Sequence, residues 1–406
     1  MEPQLAQIQA AQELLAPYLI RTPLVYSQTF SRGYGGRVYL KLENLQTTGS
    51  FKLRGSLHKL FQLQASGRLT GVVAASAGNH AQGVAYAASL LGVPATIVMP
   101  VWASLSKQAA TEGYGGRVLR QGQDLAAAVA TAQELAAVEG LQFIHPYDDP
   151  DIIIGQGTIG LEILADLPET AAILVPVGGG GLAAGIAVAS KSLKPQLKII
   201  GVQTQAVPGA QAALAAGRPV TVPAAPTLAD GIKVTRLGDQ TWPLLARYLD
   251  DLKLVGETAI ATAMLLLLEK KKVLAEGAGA VPLAALLASA SPKTFGEPVV
   301  LVISGGNIDI PLLERVLQRG LLATQRLLRL TVILDDTPGS LGRLTSRLGE
   351  LGANILHLEH DRLSLDLPLN QTRVELHLET LGPDHCRQLR AGLQEAGWQV
   401  AAEDKS

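Results

Sequence analysis

Lys52 closes the run Thr47-Thr48-Gly49-Ser50-Phe51 and is followed by Leu53-Arg54-Gly55. A lysine amine attacks a carbonyl only where confinement keeps it neutral enough. Hydroxyl, amide and glycine positions packed just before a lysine suit such an imine-forming amine. An arbitrary lysine at a strand-to-helix junction is usually solvated, so the partners elsewhere in the chain must decide.

Three other stretches offer partners. Val177-Gly178-Gly179-Gly180-Gly181-Leu182 joins an apolar run to a helical pattern. Glycines let successive N–H groups turn inward, and a helix amino terminus adds positive potential, so an anion such as phosphate fits there; a plain tight turn is the alternative. The spacing is neither a dinucleotide fingerprint nor a Walker loop. Ser76-Ala77-Gly78-Asn79-His80 precedes an alanine-rich helix and presents hydroxyl, amide and backbone donors to an anion. Taken singly, Ser76 also reads as a helix cap and His80 as a packed surface histidine. Ser304-Gly305-Gly306-Asn307 follows an apolar strand. An imine-forming lysine and a phosphate cradle without a nucleotide motif point to pyridoxal phosphate.

These loops need a scaffold, and the hydrophobic pattern supplies one. Short apolar runs at Arg37–Leu42, Gly71–Ala75, Pro94–Pro100, Arg117–Leu119, Ala172–Val177, Lys198–Gln203 and Pro298–Ser304 alternate with helical stretches, among them Glu257–Lys270 and Val281–Ala290. That alternation predicts an α/β fold with parallel sheet, whose ligands bind beyond the carboxyl ends of the strands, where all four loops fall. The aspartates of His145-Pro146-Tyr147-Asp148-Asp149-Pro150-Asp151 read as a capped turn, since no calcium-loop spacing accompanies them. The alanine-rich stretch 206–216 reads as surface without activity.

The chain has 406 residues, 48% hydrophobic and 17% charged, enough for several cores. Its 34 basic and 35 acidic residues give a formal charge of −1, which favours small-molecule partners and predicts no nucleic-acid or membrane surface. One cysteine, Cys386, excludes an intrachain disulfide and reads as an inert thiol on a late helix. Residues 1–16 show no basic segment followed by an apolar core, so the expected location is cytoplasmic. No metal site is predicted, and His357 and His360 should face opposite sides of a strand.

The motif Lys-x-Glu-Asn-x-Gln-x-x-x-Ser-Phe-Lys-x-Arg-Gly, from Lys41 to Gly55, resembles the cofactor attachment site of the serine/threonine dehydratases. These belong to the fold-type II (tryptophan synthase β-like) pyridoxal phosphate enzymes. The resemblance implies two open parallel-sheet subdomains, the smaller, about 53–150, inserted in the larger. It implies elimination of water from L-threonine, and also from L-serine, giving a keto acid and ammonia. Lys52 would hold pyridoxal 5'-phosphate and serve as the Cα base, with Phe51 and Gly238 on the two ring faces. Asn79 would meet the 3′ oxygen, Gly178, Gly179, Gly180 and Gly181 the phosphate, and Ser304 the ring nitrogen. Ser76, Ala77, Gly78, Asn79 and His80 would grip the substrate carboxylate, and Glu276 would lie close to the substrate; alone, Glu276 reads equally as a helix N-terminal charge. Racemases of this family carry a second catalytic serine where this chain has Ala77, which makes serine racemase the second reading. Their divalent-cation ligands align near Gln203 and Gly209. A catalytically silent amino-acid-binding regulator is the third.

From Leu327 the pattern changes to alternating strands with two helices, a βαββαβ order in about 75 residues. Asp335-x-Thr-Pro-Gly-Ser-Leu and Gly352-Ala353-Asn354-Ile355 resemble an ACT domain, a ferredoxin-like regulatory module. The expected division is a catalytic region 1–319, a linker 320–326 and an ACT-like domain 327–402. Isoleucine or valine would bind near Asp336, Pro338, Gly339 and Leu341, in a homodimer or homotetramer.

Overall fold

The computed structural model describes residues 2–289, 293–363 and 365–401. The chain divides into two compact units, Met1–Leu312 and Leu313–Ser406. In chain order the strands of the first unit are β1 (Leu24–Tyr26), β2 (Val38–Leu42), β3 (Val72–Ala75), β4 (Ala95–Met99), β5 (Arg117–Arg120), β6 (Gln142–Phe143), β7 (Ala172–Pro176), β8 (Lys198–Thr204), β9 (Asp251–Val255) and β10 (Val299–Ile303). A six-stranded sheet runs β1-β2-β10-β7-β8-β9, parallel except for β1. A four-stranded parallel sheet, β5-β4-β3-β6, is built entirely from residues between β2 and β7.

β3, β4, β7 and β10 are buried along their whole length, which is why they read as continuous apolar runs. The large sheet packs against helices Pro150–Asp166 and Gly181–Leu193, and Ile8 and Ala11 of the opening helix Leu5–Leu15 join that core. The small sheet is covered by helices Lys52–Ala65, Asn79–Leu90 and Leu125–Glu139.

Several elements depart from the sequence expectation. The helix expected over Glu257–Lys270 is an α-helix only to Leu266, then a π turn over Leu267–Lys271 ending at Lys272 with φ 58°. The wider turn turns Val273 inward. The helix expected from Val281 starts at Gly277 and ends at Leu287; Ala290 lies outside the described residues. Its early start depends on Gly279, where a Cβ would stand 2.5 Å from the Gly305 carbonyl oxygen. Part of 206–216 is a helix, Gly209–Ala216, that buries Ala210 and Ala213. Helices Gln28–Tyr34 and Thr241–Tyr248 had no expectation.

The second unit contains β11 (Leu327–Asp335), β12 (Asn354–Asp361), β13 (Gln371–Glu379) and β14 (Gln399–Ala401), with helices Ser340–Glu350 and Pro383–Glu395. The antiparallel order β12-β13-β11-β14 is the ferredoxin-like βαββαβ arrangement, consistent with an ACT-like domain. Leu328, Leu330 and Val332 register with Leu378, Leu376 and Val374, and Leu344, Leu348, Leu389 and Leu393 cover them. Cys386 is buried in that core. His357 registers with His377 and His360 with Val374, on opposite faces. Ala402, the expected end of this domain, lies outside the described residues.

Candidate active site

The loops after β2, β3, β7 and β10 lie at carboxyl ends of parallel strands, and three are joined by hydrogen bonds. The Phe51 N–H donates to the Ser304 carbonyl (3.0 Å) and the Gly306 N–H to the Gly49 carbonyl (2.9 Å). Asn307 Nδ2 donates to the Thr48 carbonyl and to Asn79 Oδ1, both at 2.8 Å, tying in the loop after β3. Lys52 opens helix Lys52–Ala65, and its amine donates to the Pro146 carbonyl at 2.7 Å. It lies 5.1 Å from the Phe51 ring centroid. Burial of the amine lowers its pKa to about 8, with Glu276 opposing, although the side chain keeps partial solvent access.

The glycine loop turns at Gly180, φ 100°, into helix Gly181–Leu193, whose first N–H groups have no intrahelical acceptors. A Cβ on Gly179 would lie 2.4 Å from the Tyr147 ring, and one on Gly181 2.8 Å from the Tyr147 carbonyl oxygen. The turn before helix Pro150–Asp166 can therefore press on this loop only because the loop lacks side chains. The Asp148 carboxylate accepts the N–H groups of Asp239 (2.9 Å), Gln240 (2.7 Å) and Thr241 (3.2 Å), while Asp149 caps Pro150–Asp166. Thr241 Oγ1 donates to the Gly179 carbonyl at 2.6 Å, and a Cβ on Gly238 would collide with Asp148. The aspartates thus have separate structural tasks, one of which braces the glycine loop.

Helix Asn79–Leu90 begins after Gly78, whose N–H donates to Ser76 Oγ at 3.1 Å. Ser76, Ala77 and Asn79 are partly exposed. His80 is buried, its Nε2 bonded to the Ile144 carbonyl at 2.9 Å, and burial followed by Lys52 depresses its pKa to about 3. Its side chain is thereby committed to the core, leaving its backbone N–H at the helix terminus. Asn79 Nδ2 donates to Glu276 Oε1 at 2.7 Å. Glu276 is buried before helix Gly277–Leu287; desolvation, then Asp230, raises its pKa to about 8.

The donor set suits pyridoxal phosphate. A poorly solvated amine, a side-chain-free cradle at a helix terminus, a flat ring at Phe51 and a buried hydroxyl at Ser304 converge, and the Ser50 hydroxyl is buried without a partner. The glycine loop, the 76–80 loop, Lys52 and Ser304 sit at these loop ends, and Glu276, ahead of helix Gly277–Leu287, is tied to them through Asn79 and the Gly305 carbonyl, which accepts the Glu276 N–H at 3.1 Å. In the second unit, Asp336 pairs with Arg362 at 2.8 Å, Gly339 has φ 85° at the start of helix Ser340–Glu350, and Leu341 packs on the core.

Sequence reasoning assigned no individual role to Thr48, Asn307 or Tyr147 and missed Glu162. Glu162 pairs with Lys41 (2.5 Å) and Arg54 (2.6 Å), and Arg54 also pairs with Glu43 (2.8 Å), all four buried. The available signal was charge inside an otherwise apolar strand, at Lys41. Gln203, aligned with a racemase cation ligand, accepts the N–H of Ala210 at 3.0 Å. Among the described residues no group of three or more His, Cys, Asp or Glu could hold a metal ion, and no helix is long and apolar enough to cross a membrane.

Parallel sheets with a poorly solvated lysine and a glycine cradle at their carboxyl ends define a fold-type II pyridoxal phosphate enzyme, and the family model described as "Pyridoxal-phosphate dependent enzyme" matches residues 15–305. The chain belongs to that family. It is 46% identical over 396 residues to the L-threonine ammonia-lyase of Thermotoga maritima, covering 98% of both chains. Among solved structures it resembles the threonine deaminase of T.th., with TM-score 0.72 and 42% identity over 76% of this chain and 99% of that one. It also resembles maize serine racemase, with TM-score 0.74 and 35% identity over 79% of this chain and 99% of that one.

Proposed function

We propose that this protein deaminates L-threonine to 2-oxobutanoate and ammonia by β-elimination of water, and L-serine to pyruvate likewise. The observation that carries the reading is the depressed Lys52 amine within a site whose cradle and carboxylate loop suit pyridoxal phosphate and an amino acid. The full-length similarity to an L-threonine ammonia-lyase supports it. Pyridoxal phosphate, when bound, supplies the electron sink that acidifies Cα.

The chain's own residues do the rest. Lys52 Nζ would hold the cofactor and, when free, would take the Cα proton; a pKa of about 8 leaves a useful fraction neutral near pH 7. Ser76 and the N–H groups opening helix Asn79–Leu90 hold the substrate carboxylate. The glycine loop would hold the phosphate and Asn79 the ring oxygen, with Phe51 and Gly238 beside the ring. Ser304 would meet the ring nitrogen with a neutral hydroxyl, which would not keep that nitrogen protonated and would so favour elimination over transamination. Glu276 stands ready beside Asn79 as a proton-holding group.

Serine racemase is the second reading, favoured by the likeness to the maize enzyme. Ala77 opposes it, since no hydroxyl stands there to serve the opposite face. Residues 1–319 are read as catalytic, with about 53–150 as the inserted subdomain, 320–326 as linker and 327–402 as regulatory, in a cytoplasmic homodimer or homotetramer. Isoleucine or valine binds near Asp336–Leu341 and tunes the rate; the Gly339 turn at a helix start supports this.

Product assays of the cofactor-loaded protein on L-threonine, L-serine and D-serine, with and without isoleucine or valine, test these readings. Expected are 2-oxobutanoate from L-threonine, pyruvate from L-serine, no D-serine formed, and a rate that changes with isoleucine. D-serine as the main product from L-serine establishes the racemase instead. No product from any substrate overturns the enzymatic reading, and an unchanged rate with both effectors overturns the regulatory one.

A further inference from the structure

Helix Leu105–Gly113, carried by the small-sheet region, reaches across to residues that follow the large sheet's strands. Lys107 Nζ pairs with Asp230 Oδ2 at 3.1 Å, and Ser106 Oγ donates to Asp309 Oδ1 at 2.5 Å. Asp230 opens the short turn Asp230–Ile232, whose Gly231 lies against Glu276: a Cβ there would be in van der Waals contact with Glu276 Oε1, at 3.4 Å. On its other sides Glu276 meets the Asn79 amide and Gly305, where a Cβ would be 2.5 Å away. The charged groups that face it are Asp230, Lys107 and Lys52; His80, on the Asn79 helix, is turned to Ile144.

We propose that the Lys107–Asp230 pair positions opposite charges at the edge of the site so as to set the protonation of Glu276. The pair lies across the boundary between the small-sheet region and the large sheet, so its geometry links that boundary to a proton on Glu276. Lys107 is a positioning residue in this scheme, acting through Asp230 and Glu276 without touching substrate. The electrostatics agree in sign: burial and then Asp230 favour the neutral carboxyl, whereas Asn79, Lys107 and Lys52 favour the carboxylate. The proposal deepens the deaminase reading by giving Glu276 a controlled charge.

A merely structural clasp and a charge-setting pair differ in sign. Loss of either partner opens a clasp the same way, but Lys107→Met removes a cation and Asp230→Asn removes an anion. The readout is the infrared carbonyl stretch of the protonated Glu276 carboxyl in the cofactor-loaded full chain, assigned by its disappearance in Glu276→Gln and followed against pH. Lys107→Met is expected to raise the midpoint by roughly 0.5 to 1 pH unit and Asp230→Asn to lower it by a similar amount. The double variant and Lys107→Arg should titrate close to the parent. Both side chains are partly exposed, 21% for Lys107 and 51% for Asp230, so neither change strands a buried partner. Shifts of the same sign, no shift in either variant, or no titrating Glu276 band overturn the proposal. The band reports a proton whatever the enzyme turns over, so these outcomes leave the deaminase reading standing, and absent product overturns that reading alone.

Discussion

Lys52→Ala is expected to lower ammonia release from L-threonine by at least ~10⁴-fold and to remove the visible absorbance band of the cofactor-loaded protein. Two tasks converge on one atom, attachment of the cofactor and removal of the Cα proton, and no second lysine substitutes. Lys107 is held by Asp230, and Lys41 is buried against Glu162. The variant should fold, because among the described residues Lys52 contributes one side-chain hydrogen bond, to the Pro146 carbonyl, and alanine is a good helix former at a helix start. Circular dichroism and absorbance on the same sample separate loss of attachment from loss of structure. Retained turnover would overturn the role of the lysine.

The loop that carries Lys52 was legible because its chemistry is local: hydroxyls, a glycine, an aromatic and the amine lie within a few residues. The parallel sheets were legible for a similar reason, since strands buried on both faces leave unbroken apolar runs such as Val299–Ile303. The second unit showed itself through alternation along Leu327–Asp335, where buried and outward positions succeed one another. Contacts between distant positions left no such trace. Asn79 and Glu276 are separated by 197 residues, and neither residue type announces the other. Tyr147 and Gly179 are complementary only through the missing Cβ, and Lys107 was an ordinary helix lysine until Asp230 appeared opposite. Helix limits slipped where backbone approach overrode propensity, as at Gly279 beside Gly305.

Arg54→Met is expected to destabilise the first unit by about 3–5 kcal/mol, read as a lower urea midpoint, and to weaken cofactor retention. Arg54 lies two positions after Lys52 and is 1% exposed. Its guanidinium donates twice to Glu43 (2.8 Å each) and twice to Glu162 (2.6 and 3.0 Å), with Thr158 Oγ1 at 3.1 Å. Lys41 completes the group, donating to Glu162 and to the Thr22 carbonyl. Two cations and two anions balance, so removing one member leaves a buried charge without its counterpart. Replacing all four by apolar residues of similar volume should therefore be near neutral or stabilising by about 1–4 kcal/mol, which isolates the stranded charge as the source of the loss. Burial opposes ionisation of Glu162, but Arg54 and then Lys41 outweigh it and hold its pKa below the ordinary carboxylate range. Its contribution is thus present above its unfolded pKa and is lost as pH falls through the lower folded value, so the difference between the parent and Arg54→Met should narrow in acid. Glu43 precedes the lysine loop and Arg54 follows it, which makes the same ion group a clamp on both ends of that loop. If it only stabilises the fold, the four-residue apolar variant retains cofactor as the parent does. If the clamp also orients Lys52, that variant is stable yet releases cofactor faster, because apolar contacts do not reproduce the directional bonds that fix the loop's ends.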